Sequence, residues 1–129
     1  MKRQIEDIIK ERIRIANETY SNWYDGIERC WTQLIDILSA DAGESIDYFL
    51  HECTDEEFFW LSEIFEEIVE KTQSRELVSA LRARLAQVTP EKYDRQSFKS
   101  EHMRNWIGYA EYVKGMAKEI NYAENKIDG

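Results

Sequence analysis

The sequence predicts an all-α fold, a single compact bundle of five to six helices, and three observations support this prediction. Only five of the 129 residues are glycine and one is proline, so the chain is poor in the turn residues that sandwiches and barrels need. Apolar residues recur at spacings of three and four, and no stretch alternates as a strand does. No linker-like composition divides the chain, so residues 1–129 are expected to form one domain.

The first two helices are predicted from the apolar spacing near the N-terminus. Helix one is expected from about residue 2 to residue 18, with apolar positions at Ile5, Ile9, Ile13, Ala16 and Tyr20. Ser21 or Asn22 can act as the N-cap of the next helix, because either side chain can accept a hydrogen bond from a free backbone amide. Helix two then carries Trp23, Ile27, Trp31, Leu34 and Leu38 on one face.

The third and fourth helices are separated by the clearest helix start in the chain. Residues 41–43, Asp-Ala-Gly, end helix two, and a short third helix carries Ile46, Phe49, Leu50 and Cys53. Thr54 and Glu57 have the spacing of a capping box, in which each side chain accepts a hydrogen bond from the other residue's backbone amide. Helix four is expected from there to about Lys71, with an acidic first turn at the positive end of the helix dipole.

The C-terminal half is predicted to contain two or three further helices. Gln73 and Ser74 form a turn and cap, after which helix five carries Leu77, Leu81, Leu85 and Val88. Pro90 indicates another helix start, because proline at the first helical position loses no needed hydrogen bond. A last helix is expected from about Phe98 to Ala123, with Met103, Trp106, Ala110, Val113, Ala117 and Ile120 on one face. Residues 125–129 are expected to fray.

The net charge of −9 is concentrated in residues 44–76, which contain 11 acidic and 2 basic side chains. Residues 1–43 carry a net charge of −2, and residues 77–129 carry a net charge of +2. This distribution disfavours nucleic acid and anionic membranes as partners. No apolar run reaches membrane-spanning length, and the charged N-terminal stretch lacks the core of a signal peptide. A cytoplasmic protein with reduced Cys30 and Cys53 is therefore expected.

An enzyme or a metal protein needs converging ionisable groups, and the sequence offers few. The two histidines, His51 and His102, have neither a second His nor a preceding Glu at helical spacing. His51, Glu52 and Cys53 are adjacent, and neighbours on a helix diverge by about 100°, so they do not converge on one ion. A Cys–His nucleophilic pair would require contacts between helices, and phosphate-binding glycine loops are absent. We predict a binding protein with no catalytic residue, metal or cofactor.

Helix four has two different faces when its residues are placed at about 100° each. A core stripe consists of Phe58, Leu61, Ile64, Phe65 and Ile68. On another side, within about 80° of one another, lie Glu56, Trp60, Glu63, Glu67 and Glu70, with Phe59 and Glu66 next to them. Two large aromatic residues are thus expected on an acidic face that meets water.

This face has two interpretations. In one, Trp60 and Phe59 pack under a neighbouring helix and the glutamates keep the surface soluble. In the other, the aromatics anchor a partner that the carboxylates attract, which would relieve a repulsion of a few tenths of a kcal/mol (about 0.2–0.5) per carboxylate pair. The second interpretation predicts an acidic patch that contacts the partner through Asp47, Glu52, Asp55, Glu56, Phe59, Trp60, Glu63, Glu66, Glu67 and Glu70.

The last predicted helix has aromatic residues of its own. Trp106, Tyr109 and Tyr112 lie at spacings of three. This spacing favours positions in the core and at its edge. A second binding site is the alternative.

Three consecutive features of the central segment occur together: an acidic capped start, TDEEFFWLSE (54–63), a helical run, FEEIVEKTQSRELVSALR (65–82), and a break before proline, VTPEKY (88–93). In this combination the segment resembles bacterial immunity proteins. These are the antitoxins of contact-dependent growth inhibition and other polymorphic toxin systems. The resemblance covers roughly residues 46–93.

The resemblance implies that the protein binds a cognate toxin domain, often a nuclease with a basic active-site cleft, and occludes it. The contact residues remain those of the acidic patch, because immunity proteins vary most where they contact the toxin. Under this hypothesis the acidic patch enters the groove that normally holds phosphates, and Trp60 or Phe59 seals it. The alternative is an acidic DNA mimic or phage-type regulator that binds a DNA-binding protein. That alternative predicts acidic rows on several helices, and the confinement of charge to residues 44–76 disfavours it.

Overall fold

The computed structural model describes all residues, 1–129, as helices, turns and loops without a β-strand, which confirms the all-α prediction. The α-helices are α1 (Lys2–Thr19), α2 (Tyr24–Ala40), α3 (Ala42–His51), α4 (Asp55–Leu61), α5 (Phe65–Thr72), α6 (Arg75–Ala86), α7 (Glu101–Trp106) and α8 (Tyr109–Glu124). Two short 3₁₀ turns lie at Ser62–Ile64 and Arg95–Ser97. No helix is both long enough and apolar enough to cross a membrane.

The helix count exceeds the predicted five to six because two of the predicted helices are interrupted. Predicted helix four consists of α4 and α5, which the 3₁₀ turn at Ser62–Ile64 joins without a loop. Because α4 and α5 form one continuous helical segment, the eight α-helices make up seven separate segments. The predicted last helix is interrupted at Ile107, which has an extended backbone, and at Gly108, which is the N-cap of α8. This break places Trp106 at the end of a short helix instead of the middle of a long one.

Three phenylalanines form the centre of the core. Phe49, Phe58 and Phe65 are fully buried, and their ring centroids lie 5.3, 6.0 and 6.1 Å apart. These separations are typical of edge-to-face and tilted aromatic pairs. Around this centre, α3 packs against α2 and α6, α5 packs against α2 and α8, and α1 packs against α2, α4 and α7. The last of these contacts brings α1, α4 and α7 together at one place on the bundle.

The predicted helix starts at Thr54 and Ser74 are confirmed, whereas the one at Pro90 is not. In the predicted capping box, Thr54 Oγ1 accepts from the Glu57 amide at 3.1 Å, and Glu57 Oε1 accepts from the Thr54 amide at 3.0 Å. Ser74 caps α6 as predicted, accepting from a backbone amide at 3.0 Å. The helix start predicted at Pro90 is wrong, because the chain there forms only an isolated turn.

The C-terminal residues, predicted to fray, are attached to the turn between α5 and α6. The Gln73 side-chain amide donates to Lys126 O at 2.9 Å, and its Oε1 accepts from the Asp128 amide at 2.8 Å. Gln73 has a left-handed backbone with φ 50°, the common conformation of a residue that ends a helix. Ile127 packs half-buried against the core, so the last residues lie on the bundle.

Candidate functional site

The first turn of α4 uses its carboxylates inside the protein. Glu57 is 9% exposed, completes the capping box, and accepts a hydrogen bond from the Tyr48 hydroxyl at 3.2 Å. Glu56 accepts from the backbone amides of Lys99 and Ser100 at 3.1 and 2.9 Å. These amides immediately precede α7, so the Glu56 carboxylate fixes the start of α7 against α4.

Glu63 is held in a buried network by residues of α1 and α2. Arg12, which is 5% exposed, donates from Nε and Nη2 to the two carboxylate oxygens of Glu63, both at 2.9 Å. Trp31 Nε1 donates to the same carboxylate at 3.2 Å, and Arg12 Nη1 donates to Ser21 Oγ at 3.2 Å. The Arg12 guanidinium also lies 4.6 Å from the centroid of the Trp60 ring. Removing Glu63 from this bidentate pair would leave the buried Arg12 charge uncompensated, so Glu63 has a structural role.

Trp60 and Phe59 are not the solvent-exposed pair that the helical wheel predicted. Trp60 is only 5% exposed, and the Arg12 guanidinium covers its ring. Phe59 is half-buried, and its ring stacks on Tyr112 of α8 with centroids 6.3 Å apart. The interpretation in which these aromatics pack under neighbouring helices therefore describes their positions.

The remaining carboxylates of the acidic patch lie on different helices. Asp47 and Glu52 are exposed at α3 and its C-terminal end, whereas Glu66, Glu67 and Glu70 belong to α5, where Glu66 is half-buried. The 3₁₀ turn before α5 advances by about 120° per residue instead of 100°, which rotates α5 by about 60° relative to a continuous helix. The patch is therefore not one continuous face. That its residues contact a partner stays a prediction.

Two carboxylates of α5 face a like charge on α8. Burial and the charge of Glu66 raise the pKa of Glu119, Lys118 lowers it, and Glu67 raises it further. The pKa of Glu119 is therefore higher than that of an ordinary glutamate. The surface between α5 and α8 carries an excess of negative charge that Lys118 offsets only in part.

Arg84 of α6 holds the segment between α3 and α4 from the inside. This residue is 5% exposed and donates to Cys53 O at 2.9 Å and to Asp55 Oδ1 at 2.6 Å. The Tyr112 hydroxyl donates to Asp55 O at 2.6 Å. Asp55 of the acidic patch is therefore also engaged within the protein.

Cys30 and Cys53 are both buried, and burial affects their acidity. Burial raises the pKa of the Cys53 thiol, which opposes formation of the nucleophilic thiolate. Burial also raises the pKa of Cys30, and the two cysteines are unpaired. No group of three or more His, Cys, Asp or Glu side chains is placed to hold a metal ion.

Exposed aromatic rings gather elsewhere, at the turn between α1 and α2 and at the end of α7. Five large hydrophobic side chains are exposed, and four of them are Tyr20 (85%), Trp23 (41%), Tyr24 (61%) and Trp106 (72%). The fifth, Tyr122, lies on α8. The expectation that Trp106 lies in the core or at its edge is wrong, because α7 ends directly at this residue. Its ring projects at the surface instead.

Tyr20 and Trp106 border a cleft between α1, α4 and α7 that has two adjoining compartments. The Trp106 compartment is lined by Ala16, Asn17, Tyr20, Glu101, His102, Asn105 and Trp106. The Trp60 compartment has a volume of about 350 Å³ and is lined by Arg12, Ala16, Tyr20, Ser21, Phe59, Trp60, Glu63 and His102. Ala16, Tyr20 and His102 contribute to both compartments. The two compartments therefore form one cleft, which is bordered by Tyr20 after α1 and by Trp106 at the end of α7.

Hydrogen bonds between α1 and the start of α7 fix the shape of this cleft. Asn17 Nδ2 donates to Lys99 O, and Asn17 Oδ1 accepts from the Glu101 amide, both at 3.0 Å. Trp60 lines the Trp60 compartment, and its indole Nε1 is the single buried side-chain polar atom of the protein that has no hydrogen-bond partner. A buried donor without an acceptor is unusual in a folded protein.

The turn that carries Tyr20 is strained. Tyr20 and Ser21 both have left-handed backbones, with φ 54° and 61°, which costs residues other than glycine about 1–2 kcal/mol each. The predicted capping of α2 by Ser21 or Asn22 is wrong, because the N-cap position is Trp23 and no side chain caps it. Ser21 instead accepts a hydrogen bond from Arg12. Since Tyr20 is almost fully exposed, little burial compensates for its strain.

The sequence holds weak signals for these residues that helical periodicity does not use. Tyr20 follows the last turn of α1 and precedes the polar pair Ser21 and Asn22, and Trp106 precedes Gly108 by two residues. Large aromatics next to helix breaks are candidates for the ends of rods, where side chains can project away from the core. Their exposure nevertheless depends on the packing of α1 against α7, which periodicity cannot specify.

Comparison with known proteins does not place the chain in a family. No protein-family model, curated protein sequence or solved structure compared with it gives a match. Its function is therefore inferred from the charge, burial and shape of its own surface.

Proposed function

We propose that this protein is a non-catalytic immunity protein that acts in the cytoplasm. It would bind a basic toxin domain, a nuclease, and block its active site. The observation that carries the proposal is a cleft bordered by two exposed aromatic side chains, Tyr20 and Trp106, in a chain of net charge −9. Exposed apolar clusters are uncommon in monomeric proteins and typical of interaction sites. Tyrosine and tryptophan are also enriched among the residues that dominate interface energies.

The exposed carboxylates support a basic partner. Asp47, Glu52, Glu67 and Glu70 are exposed, and the nearest basic groups to Asp47 and Glu70 lie 3.8 and 3.9 Å away, at His51 and Lys126. Such weakly compensated charges attract cations over distances comparable to the Debye length and accelerate association. The carboxylates would thus set the association rate, whereas the aromatic cleft would supply most of the affinity.

The resemblance to immunity proteins is compatible with carboxylates that set the association rate and a separate cleft that supplies the affinity. The segment that carries it, residues 46–93, includes much of the core and the helices around it. Tyr20, Trp23, Tyr24 and Trp106 all lie outside that segment. A common scaffold with contact residues placed elsewhere agrees with the expectation that immunity proteins vary most where they meet the toxin.

The proposal is tested by co-expressing the protein with the toxic domain encoded next to its gene. We expect restored growth and a one-to-one complex that survives purification. The association rate should fall steeply as salt is added, because screening weakens the long-range attraction. Full toxicity in the presence of the folded protein, with no complex detected, would contradict the proposal.

A charge-reversal variant separates steering from affinity. Glu52→Lys, Glu67→Lys and Glu70→Lys together should slow association about ten-fold or more at low salt, with little change in dissociation. The rates of the variant and the natural protein should converge at high salt. An association rate that is equally fast in both proteins at low salt would remove the steering role.

A further inference from the structure

We propose that the cleft binds an arginine side chain presented by the protein partner, an inference that rests on the proposed function and names the chemistry of its contact. The two compartments differ in character. The Trp106 compartment contains the unpaired carboxylate of Glu101, whereas in the Trp60 compartment the carboxylate of Glu63 is already paired with Arg12 and the indole N–H of Trp60 is a donor without a partner. An arginine residue offers a planar cation at one end and a backbone carbonyl acceptor at the other.

The Trp106 compartment suits a guanidinium because it contains the carboxylate of Glu101 and neither lysine nor arginine, His102 being its one basic side chain. Glu101 is exposed and has no basic group within 4.0 Å, and neither lysine nor arginine lines this compartment. The backbone of Glu101 is anchored, because its amide donates to Asn17 of α1 at 3.0 Å. An exposed carboxylate without a counter-ion is a suitable partner for the fork of an incoming arginine.

The aromatic rings add a second source of recognition. The side chains of Trp106 and Tyr20, which are 72% and 85% exposed, line the same compartment as Glu101. A guanidinium stacks on such faces and also pairs with a carboxylate at its edge. The protein already contains this arrangement in its interior, where Arg12 lies over the Trp60 ring and pairs with Glu63.

The Trp60 compartment supplies the contact for the rest of the residue. The indole N–H of Trp60 is buried without an acceptor. A backbone carbonyl of the inserted segment would accept its hydrogen bond once the groups that cover the indole N–H move aside. The charge of Arg12 does not oppose this insertion, since Glu63 neutralises it through two hydrogen bonds of 2.9 Å.

The strained turn at Tyr20 and Ser21 also indicates that a partner binds at the Trp106 compartment. Tyr20 has a left-handed backbone that glycine or asparagine adopts more easily, yet its ring is almost entirely exposed. An aromatic ring in this position does little for the isolated fold. It does provide one wall of the compartment that we assign to the guanidinium.

The test uses the complete protein labelled with ¹⁵N and the peptide acetyl-Gly-Arg-Gly-amide as probe. We expect saturable shifts of the indole N–H signals of Trp106 and Trp60, with a dissociation constant on the order of 1 mM. The peptide with citrulline, a neutral isostere of arginine, should bind at least about five-fold more weakly, because it lacks the charge that pairs with Glu101.

Two matched variants control for general charge effects. Glu101→Gln should weaken binding of the arginine peptide about five-fold, and Glu76→Gln, an exposed carboxylate on α6, should leave it within about two-fold. Equal binding of the arginine and citrulline peptides would overturn the inference. Shifts confined to Trp23 and Trp31 would do the same, because they would place the peptide elsewhere.

Failure of this inference is distinguishable from failure of the proposed function. If the toxin domain binds and the arginine peptide does not, the cleft is not an arginine site and the immunity function stands. If the peptide binds at Trp106 and no toxin domain does, the arginine site stands and the immunity function does not.

Discussion

Two regions of the molecule use acidic and aromatic side chains in opposite ways. In residues 54–63, the carboxylates bind groups of the protein itself, and Trp60 is covered by Arg12. At the turn between α1 and α2 and at α7, by contrast, aromatic rings are exposed and Glu101 has no cation. The density of charge in a sequence therefore does not locate a binding surface. Side chains that lack partners within the fold are the ones available to another molecule.

The largest predicted effect concerns the buried pair in the first of these regions. Glu63→Gln should lower the free energy of unfolding by about 3–5 kcal/mol, because Arg12 is left buried without its counter-ion. The measurement is urea denaturation at neutral pH. Glu67→Gln is the control, since Glu67 is exposed and should change stability by no more than about 0.5 kcal/mol. Similar losses in both variants would show that the two carboxylates do not differ in role.

The second prediction concerns the bond between α4 and the start of α7. Glu56→Ala should lower the free energy of unfolding by about 1–3 kcal/mol, because the amides of Lys99 and Ser100 lose their acceptor. Hydrogen exchange should show faster exchange at the Ser100 amide. Glu52→Ala, which removes an exposed carboxylate, serves as the control. Unchanged exchange at Ser100 in Glu56→Ala would mean that Glu56 does not hold α7.

The third prediction has the opposite sign and tests the second region. Tyr20→Asn should raise the free energy of unfolding by about 1 kcal/mol, because asparagine tolerates the left-handed backbone better than tyrosine does. The same variant should bind the partner more weakly, since the ring at the cleft is gone. Urea denaturation and a binding assay together check this pair of effects. A variant that is less stable than the natural protein would contradict the account of Tyr20.

The smallest predicted effect is a pH dependence on the surface between α5 and α8. The folded-state pKa of Glu119 is raised above its ordinary value of 4.5, so its ionised form disfavours folding. Glu119→Gln should therefore be slightly more stable than the natural protein at neutral pH, above the folded-state pKa. The difference should disappear below pH 4.5, where both side chains are neutral. Denaturation curves across this range check the sign, and a difference independent of pH would contradict it.

Much of the fold could be predicted because its signals are local. The capping box at Thr54 and Glu57 and the cap at Ser74 depend on residues three apart, and both are present. The site could not be predicted in the same way. The α4 face is covered by Arg12, which lies 51 positions before its partner Glu63 and is therefore invisible to local patterns. A straight helical wheel also cannot include the 3₁₀ turn that rotates α5.

The same limit explains the prediction for Trp106. Periodicity assigns it to the stripe of a long helix, along with Met103, which is indeed buried. The extended residue Ile107 ends that helix one position later. Whether the ring then turns inward or outward is decided by the position of α7 against α1 and α4, and this is a property of the tertiary structure.

Whether the partner binds at the cleft is decided by comparing variants of two exposed aromatic residues, one at the cleft and one on α8. The affinity for the toxin domain is measured for Trp106→Ala and Tyr122→Ala. In the natural protein Trp106 is 72% exposed and Tyr122 is 43% exposed. We predict that Trp106→Ala weakens binding by about 2 kcal/mol or more, roughly thirty-fold, and that Tyr122→Ala leaves affinity nearly unchanged. Equal affinities of Trp106→Ala and the natural protein would show that the partner does not bind at the cleft.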